Sequence, residues 1–308
     1  MNRKFMAEFG LNSYSSYVTI CYPNDLNTIE IGPRYHIYMI NKIPKLNFVD
    51  KSIIVKKNYF SVDVRIKSDA IDKIETIKSV IHPFIDHRFF DFSFDKPFKS
   101  LIIKDDENGG AGFRVLPFYL EHGGHIDSEI VYIGRSYGEN GERDAFTRLK
   151  SHSTLQKIQS DHLFESPKSD IAITLWEFTP QLLTGFDGRA KKFQMNSVEN
   201  ELHMAEILND PPLHISKQLI NITEAALIHY FKPEYNNLLK NNFPNKKHKD
   251  YKLYYDLDFN AINVELSPDS INTKIYSKTR EYNVFRSIRY NLNSEKNRKS
   301  MFDIFSKN

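Results

Sequence analysis

A chain of 308 residues, 40% hydrophobic and 13% aromatic, holds ample material for packed cores and is expected to be globular, with one large or two ordinary domains. Its one cysteine, Cys21, excludes an intramolecular disulfide and points to a reducing, cytoplasmic setting. Net charge is only +3, which by itself implies no acidic partner.

The N-terminal MNRKFMAEFG is basic, but the residues after it are broken by Asn, Ser and Tyr and give no signal-peptide core. No run approaches the roughly 18 apolar residues of a membrane-spanning helix, so no membrane partner is expected. Residues 1–104 read as a mixed, strand-rich domain. Tyr35–Ile40 and Val62–Ile66 carry β-type patterns, and Ala70–Ile81 fits one amphipathic helix. His82 and His87, near Asp86 and Asp91, suggest a metal pair. Phe84, Phe89, Phe90, Phe92 and Phe94 instead make this an aromatic core stretch, and no Cys or second histidine pair completes a site.

Residues 105–112, DDENGGAG, are the clearest punctuation in the chain and read as a linker. Acids precede these glycines and a strand is expected after them, which disfavours a phosphate cradle at a helix N-terminus. Residues 113–240 then alternate: strand Arg114–Leu120, a turn at His122-Gly123-Gly124, strand Glu129–Gly134, a helix from about Arg143 to Lys157, strand Ile171–Phe178, and helices Val198–Leu208 and Ser216–Phe231, the last stopped by Pro233. The expected class is α+β, a small central sheet packed against helices. Residues 241–308 form a basic extension with strands expected at Ile262–Leu266 and Ile271–Tyr276. It holds 13 Lys+Arg against 8 Asp+Glu, a net of +5 that leaves residues 1–240 at −2. A polyanion would be met at that end.

Two helices carry chemistry. Residues four apart share a helix face, so Arg148 and His152 are expected to project together, a cation beside a titratable imidazole. On Ser216–Phe231, at 100° per residue, Ile220, Leu227, Ile228 and Phe231 fall within about 60° of Glu224. An acid in the middle of an apolar stripe is costly unless it is paired or holds a cation, or else it is a structural salt-bridge partner.

The order Tyr119, then Tyr132-Ile133-Gly134, then Arg148 with His152, then Glu224, then Lys232-Pro233-Glu234-Tyr235-Asn236 resembles the GIY-YIG nuclease domain over about residues 114–237. Of the first motif only Tyr119 remains, in Pro117-Phe118-Tyr119, and Arg143 competes with Arg148 for the arginine role. The resemblance implies a β-β-α-β-α core and a metal-dependent endonuclease that hydrolyses phosphodiester bonds, with flanking regions choosing target or partner. Glu224 would hold Mg²⁺ or Mn²⁺. Tyr119 or Tyr132 would take the proton of an attacking water, and Arg148 would bind phosphate with help from His152. Gly134, Arg135 and Asn236 would support them. DNA is the expected nucleic acid, although phosphate contacts from Lys191, Lys192, Lys246, Lys247 and Lys249 would not tell it from RNA. The alternatives are a catalytically silent nucleic-acid-binding or regulatory protein with the same fold, and an interaction protein acting through residues 1–104. Oligomeric state stays open.

Overall fold

The computed structural model describes residues 5–27, 34–81, 90–105, 109–137, 145–150, 152–186, 197–283 and 286–292. The histidine pair His82 and His87, the rival arginine Arg143, and Lys191 and Lys192 lie outside the described residues.

Long apolar runs make the centre of the fold a sheet. β1 (Ala7–Cys21), β2 (Ile37–Phe48), β9 (Ile126–Arg135) and β10 (Ser169–Phe186) lie side by side in the order β9-β2-β10-β1, all antiparallel. Ile37-Tyr38-Met39-Ile40 of β2 is buried without a break, because both of its faces are covered. Such strands read as continuous hydrophobic segments rather than alternating ones. The extension completes the sheet: β11 (Ala261–Leu266) runs parallel to β1, and β12 (Thr273–Ser277) parallel to β9. β13 (Arg280–Asn283) and β14 (Arg286–Asn291) close the two edges. Between β2 and β9 the chain inserts β3 (Ile54–Val55), β4 (Tyr59–Lys67) and β5 (Asp72–Val80), which continue from the far end of β2. A separate three-stranded sheet follows, of β6 (Phe90–Phe94), β7 (Ser100–Asp105) and β8 (Gly109–Arg114), and then helix α1 (Val115–Glu121).

The expectation of a small central sheet is therefore overturned: strand makes up 45% and helix 26%, and one curled mixed sheet holds 11 strands. Strands from residues 1–104, 113–240 and 241–308 all pair within it. Two local readings fail with it. Of the strand expected over Arg114–Leu120, Val115–Leu120 lies in helix α1. Its run Val115-Leu116-Pro117-Phe118-Tyr119-Leu120 is apolar throughout, so period cannot choose, and Pro117 sits in the first turn, where its missing N–H is not needed. Asp72–Val80 is a strand, not a helix. All nine of its residues pair with β4, and its β-branched Ile74, Thr76, Ile77 and Val80 suit that ladder.

The helix expected from Arg143 to Lys157 is two pieces, α2 (Ala145–Leu149) and α3 (Ser153–Glu165), with His152 at the break. α4 (Ser197–Asn209) and α5 (Lys217–Phe231) match the remaining helices, and α6 (Leu253–Asp256) is a single turn in the extension. Ser216 caps α5 by accepting from the Leu219 N–H, and Lys232 ends it in the left-handed region at φ 48°. Leu219, Ile220, Ile222, Leu227, Ile228 and Phe231 of α5 are buried against the sheet with Ile130, Ile133, Tyr251 and Tyr254. This packing holds α5 across β9, and the cleft described next opens between them.

Candidate active site

Pairing of β2 with β9 sets Tyr38 opposite Gly134, and Ile40 opposite Tyr132. A Cβ at residue 134 would lie 2.5 Å from the Tyr38 ring and hydroxyl and 2.8 Å from the Tyr132 ring. Only glycine lets the Tyr38 ring cross the strand there. Asn236, just beyond α5, is joined to the same strand twice. Its Oδ1 accepts from the Ile133 N–H at 2.9 Å and its Nδ2 donates to the Ile133 carbonyl at 2.8 Å. The Tyr235 N–H adds a bond to the Val131 carbonyl at 3.0 Å. The end of α5 is thus tied to β9 as an extra strand residue would be, which fixes where Glu224 projects.

His152 is held from both sides. Its Nδ1 accepts the Leu155 N–H at 3.1 Å, capping α3, and its Nε2 lies 3.0 Å from the Tyr38 hydroxyl. An Nδ1 that accepts carries no proton, so in the neutral ring the proton is on Nε2 and is donated to the Tyr38 oxygen. The hydroxyl proton of Tyr38 is then free for another acceptor. The Tyr132 ring packs 5.3 Å from the His152 ring and 6.2 Å from that of Tyr38. Burial, reinforced by Arg148, keeps the His152 pKa below its ordinary value, so the ring is neutral at pH 7.

Glu224 shares a cleft of about 740 Å³ with Tyr38, Tyr132, Arg148 and Arg135. Its Oε2 is 2.6 Å from the Arg135 Nε, while Arg135 Nη2 reaches Asp250 at 3.6 Å. Burial pushes the Glu224 carboxyl up to about 7 even though Arg135 and Arg148 oppose the shift. Burial likewise raises the Tyr38 and Tyr132 phenols above their ordinary value, and neighbouring Tyr132 and Glu224 add to it, so both are neutral near pH 7. A phenolate at either position needs more positive charge than Arg148 and Arg135 supply.

Of the residues expected together, Tyr132, Arg148 and Glu224 line this one cleft, and His152 joins them through Tyr38. Arg148 and His152 meet because the chain breaks between α2 and α3, not because they share a helix face. Tyr119 is elsewhere. It is buried on α1 in the core under β4 and β5, where its hydroxyl donates to Glu75 at 2.6 Å. The tyrosine beside Tyr132 and His152 is instead Tyr38, which sequence order does not point to because residues 49–125 separate β2 from β9. The available signal was His36-Ile37-Tyr38, an Ile-Tyr on a strand-like run, which Pro117-Phe118-Tyr119 is not. Lys246, Lys247 and Lys249 are exposed, and between and beside them His248 and Asp250 line the cleft.

Among the described residues no group of three or more His, Cys, Asp or Glu side chains converges as a metal site, and no described helix is long and apolar enough to cross a membrane. No family model, curated protein or solved structure matches the chain.

Proposed function

We propose that the protein is a metal-dependent endonuclease, hydrolysing phosphodiester bonds in nucleic acid, with DNA as the expected substrate and a site of the GIY-YIG type in which Tyr38 stands where Tyr119 was expected. The observation that carries this reading is the convergence of two phenols, an arginine fork and one buried acid in a single cleft, with the His152 imidazole bonded to one of the phenols from behind. Those groups arrive from β2, β9, α2 with the break that follows it, and α5, which are separate parts of the chain.

Each group suits the chemistry. Glu224, a carboxylate with oxygens only, fits a hard cation such as Mg²⁺ or Mn²⁺, which when bound offsets charge on the scissile phosphate. Arg148 is exposed at the cleft and offers a planar donor pair to phosphate oxygens. Tyr38, with His152 donating to its oxygen, can give its own proton to the departing oxygen. The Tyr132 ring stands beside that of Tyr38, 6.2 Å between centroids, on the cleft wall. Gly134 and Asn236 hold Tyr38 and the Glu224 helix to β9.

Purified protein should cut some member of a panel of duplex DNA, branched DNA and RNA with Mg²⁺ or Mn²⁺, and Glu224→Ala should abolish cutting with the near-ultraviolet circular dichroism unchanged. If every substrate stays intact with both metals while binding persists, the silent nucleic-acid-binding reading replaces this one.

A further inference from the structure

Asn221 and Glu224 stand one turn apart on α5, and both line the cleft. Asn221 is 3% exposed. Its Nδ2 donates to the main-chain carbonyl of Asp250 at 3.0 Å, while its Oδ1 is buried and accepts no hydrogen bond. A buried acceptor without a partner is destabilising, and Asn221 lines the same cleft as Glu224 and Asp250. Glu224 and Asp250 are also joined from the other side: the Arg135 guanidinium lies 2.6 Å from one and 3.6 Å from the other. A positive charge therefore already sits between them. Its grip on Asp250 is loose, and the Asp250 side chain is 44% exposed.

We propose that Asn221 Oδ1, Glu224 and Asp250 form an all-oxygen site for one divalent cation, and that Arg135 holds the cation's place until it binds. The inference rests on the reading of Glu224 as a cation ligand and extends it to a residue of the basic extension. Two carboxylates and an amide carbonyl are a hard ligand set that suits Mg²⁺ or Mn²⁺ and leaves coordination positions for water or phosphate oxygens. The orphaned Asn221 oxygen gains a partner. The displaced Arg135 guanidinium becomes available to the incoming phosphate, at a place where it does not compete for Glu224. Asp250 follows Lys249 directly, so the strand of chain that meets a polyanion would also complete the metal site. Cation binding and docking of the extension would then support each other.

Titrating Mn²⁺ into the full-length protein, with free Mn²⁺ read by electron paramagnetic resonance, tests this without reference to cleavage. Asp250→Asn, isosteric and partly exposed, should weaken Mn²⁺ affinity at least as much as loss of a supporting group does, roughly 10–100-fold. Asn221→Ala should weaken it too, and Arg135→Gln should strengthen it. Thermal melts of each variant show that it is folded. Wild-type affinity in both Asp250→Asn and Asn221→Ala would overturn the site. If Glu224→Gln alone then removes binding, the single-carboxylate reading survives. No Mn²⁺ binding by either wild type or Arg135→Gln overturns both. Binding that needs all three oxygens in a protein that cuts no nucleic acid keeps the site and removes the nuclease reading.

Discussion

Tyr38 and Tyr119 are buried to the same degree, 0% and 1% exposed, and each ends in a hydroxyl bonded to a titratable side chain. Their surroundings differ. Tyr119 points from α1 into the core beneath β4 and β5 and meets Glu75, an acid that Lys73 also holds, at 2.5 Å. Tyr38 lies across Gly134 and meets His152, next to Tyr132 and the mouth of a cleft that holds an acid and two arginines. One tyrosine closes a core and the other lines a cleft. Burial and a satisfied hydroxyl therefore do not tell the two apart. What separates them is the open cleft that Tyr38 lines and Tyr119 does not.

The comparison breaks most sharply under paired substitution. Tyr38→Phe should lower cleavage by roughly 10²-fold or more, the usual scale for loss of a group that handles a proton, whereas Tyr119→Phe should leave the rate unchanged and cost about 1 kcal/mol of stability for one hydrogen bond. Equal rates in the two variants would remove Tyr38 from the site.

Glu224 gives the next largest effect, in stability rather than rate. Its folded pKa is raised from 4.5 to about 7. A raised acid binds its proton more tightly when folded, so its contribution is complete below the unfolded value and is lost as pH climbs through the folded one. Glu224→Gln removes that loss. Urea titrations from about pH 4 to about pH 8, without metal, should show the variant gaining about 3 kcal/mol over wild type. A pH-independent difference would mean that the carboxyl is not desolvated as described.

Gly134→Ala comes third. The added methyl meets the Tyr38 ring and hydroxyl at 2.5 Å, and overpacking of this kind costs about 1–3 kcal/mol. Cleavage should fall with it, because Tyr38 must leave His152. A crystal structure of the variant with Tyr38 unmoved would contradict that account. The smallest effect belongs to the extension: neutralising Lys246, Lys247 and Lys249 together should reduce the salt slope of nucleic-acid binding by up to about three, and an unchanged slope would assign the three lysines to a solvated face.

Much of the candidate site was legible in linear order. Tyr132-Ile133-Gly134, Arg148, His152, Glu224 and Asn236 converge because close spacing and local signals, such as a strand ending in glycine or a capped helix stopped by Lys232-Pro233, survive folding. The first tyrosine was not legible. Choosing it requires knowing that β9 pairs with β2, across an insertion of six strands and a helix, and nothing local to Tyr38 or Tyr119 encodes that pairing. Nor was Asp250 legible as a cleft residue, since it reads as one acid in a basic run.

By itself, then, the sequence determined composition, the strands and helices with clear period or caps, and the chemical types in the site. It was silent where a run was apolar throughout, as in Val115–Leu120, and misleading where a helical period lost to a full-length ladder, as in Asp72–Val80. Only tertiary structure decided that one sheet of 11 strands gathers all parts of the chain, that Tyr38 and not Tyr119 stands beside Tyr132 and His152, and that Arg135 stands between Glu224 and Asp250. The reason is that strand pairing and charge burial depend on partners distant in sequence, whereas turns, caps and helix ends depend on neighbours.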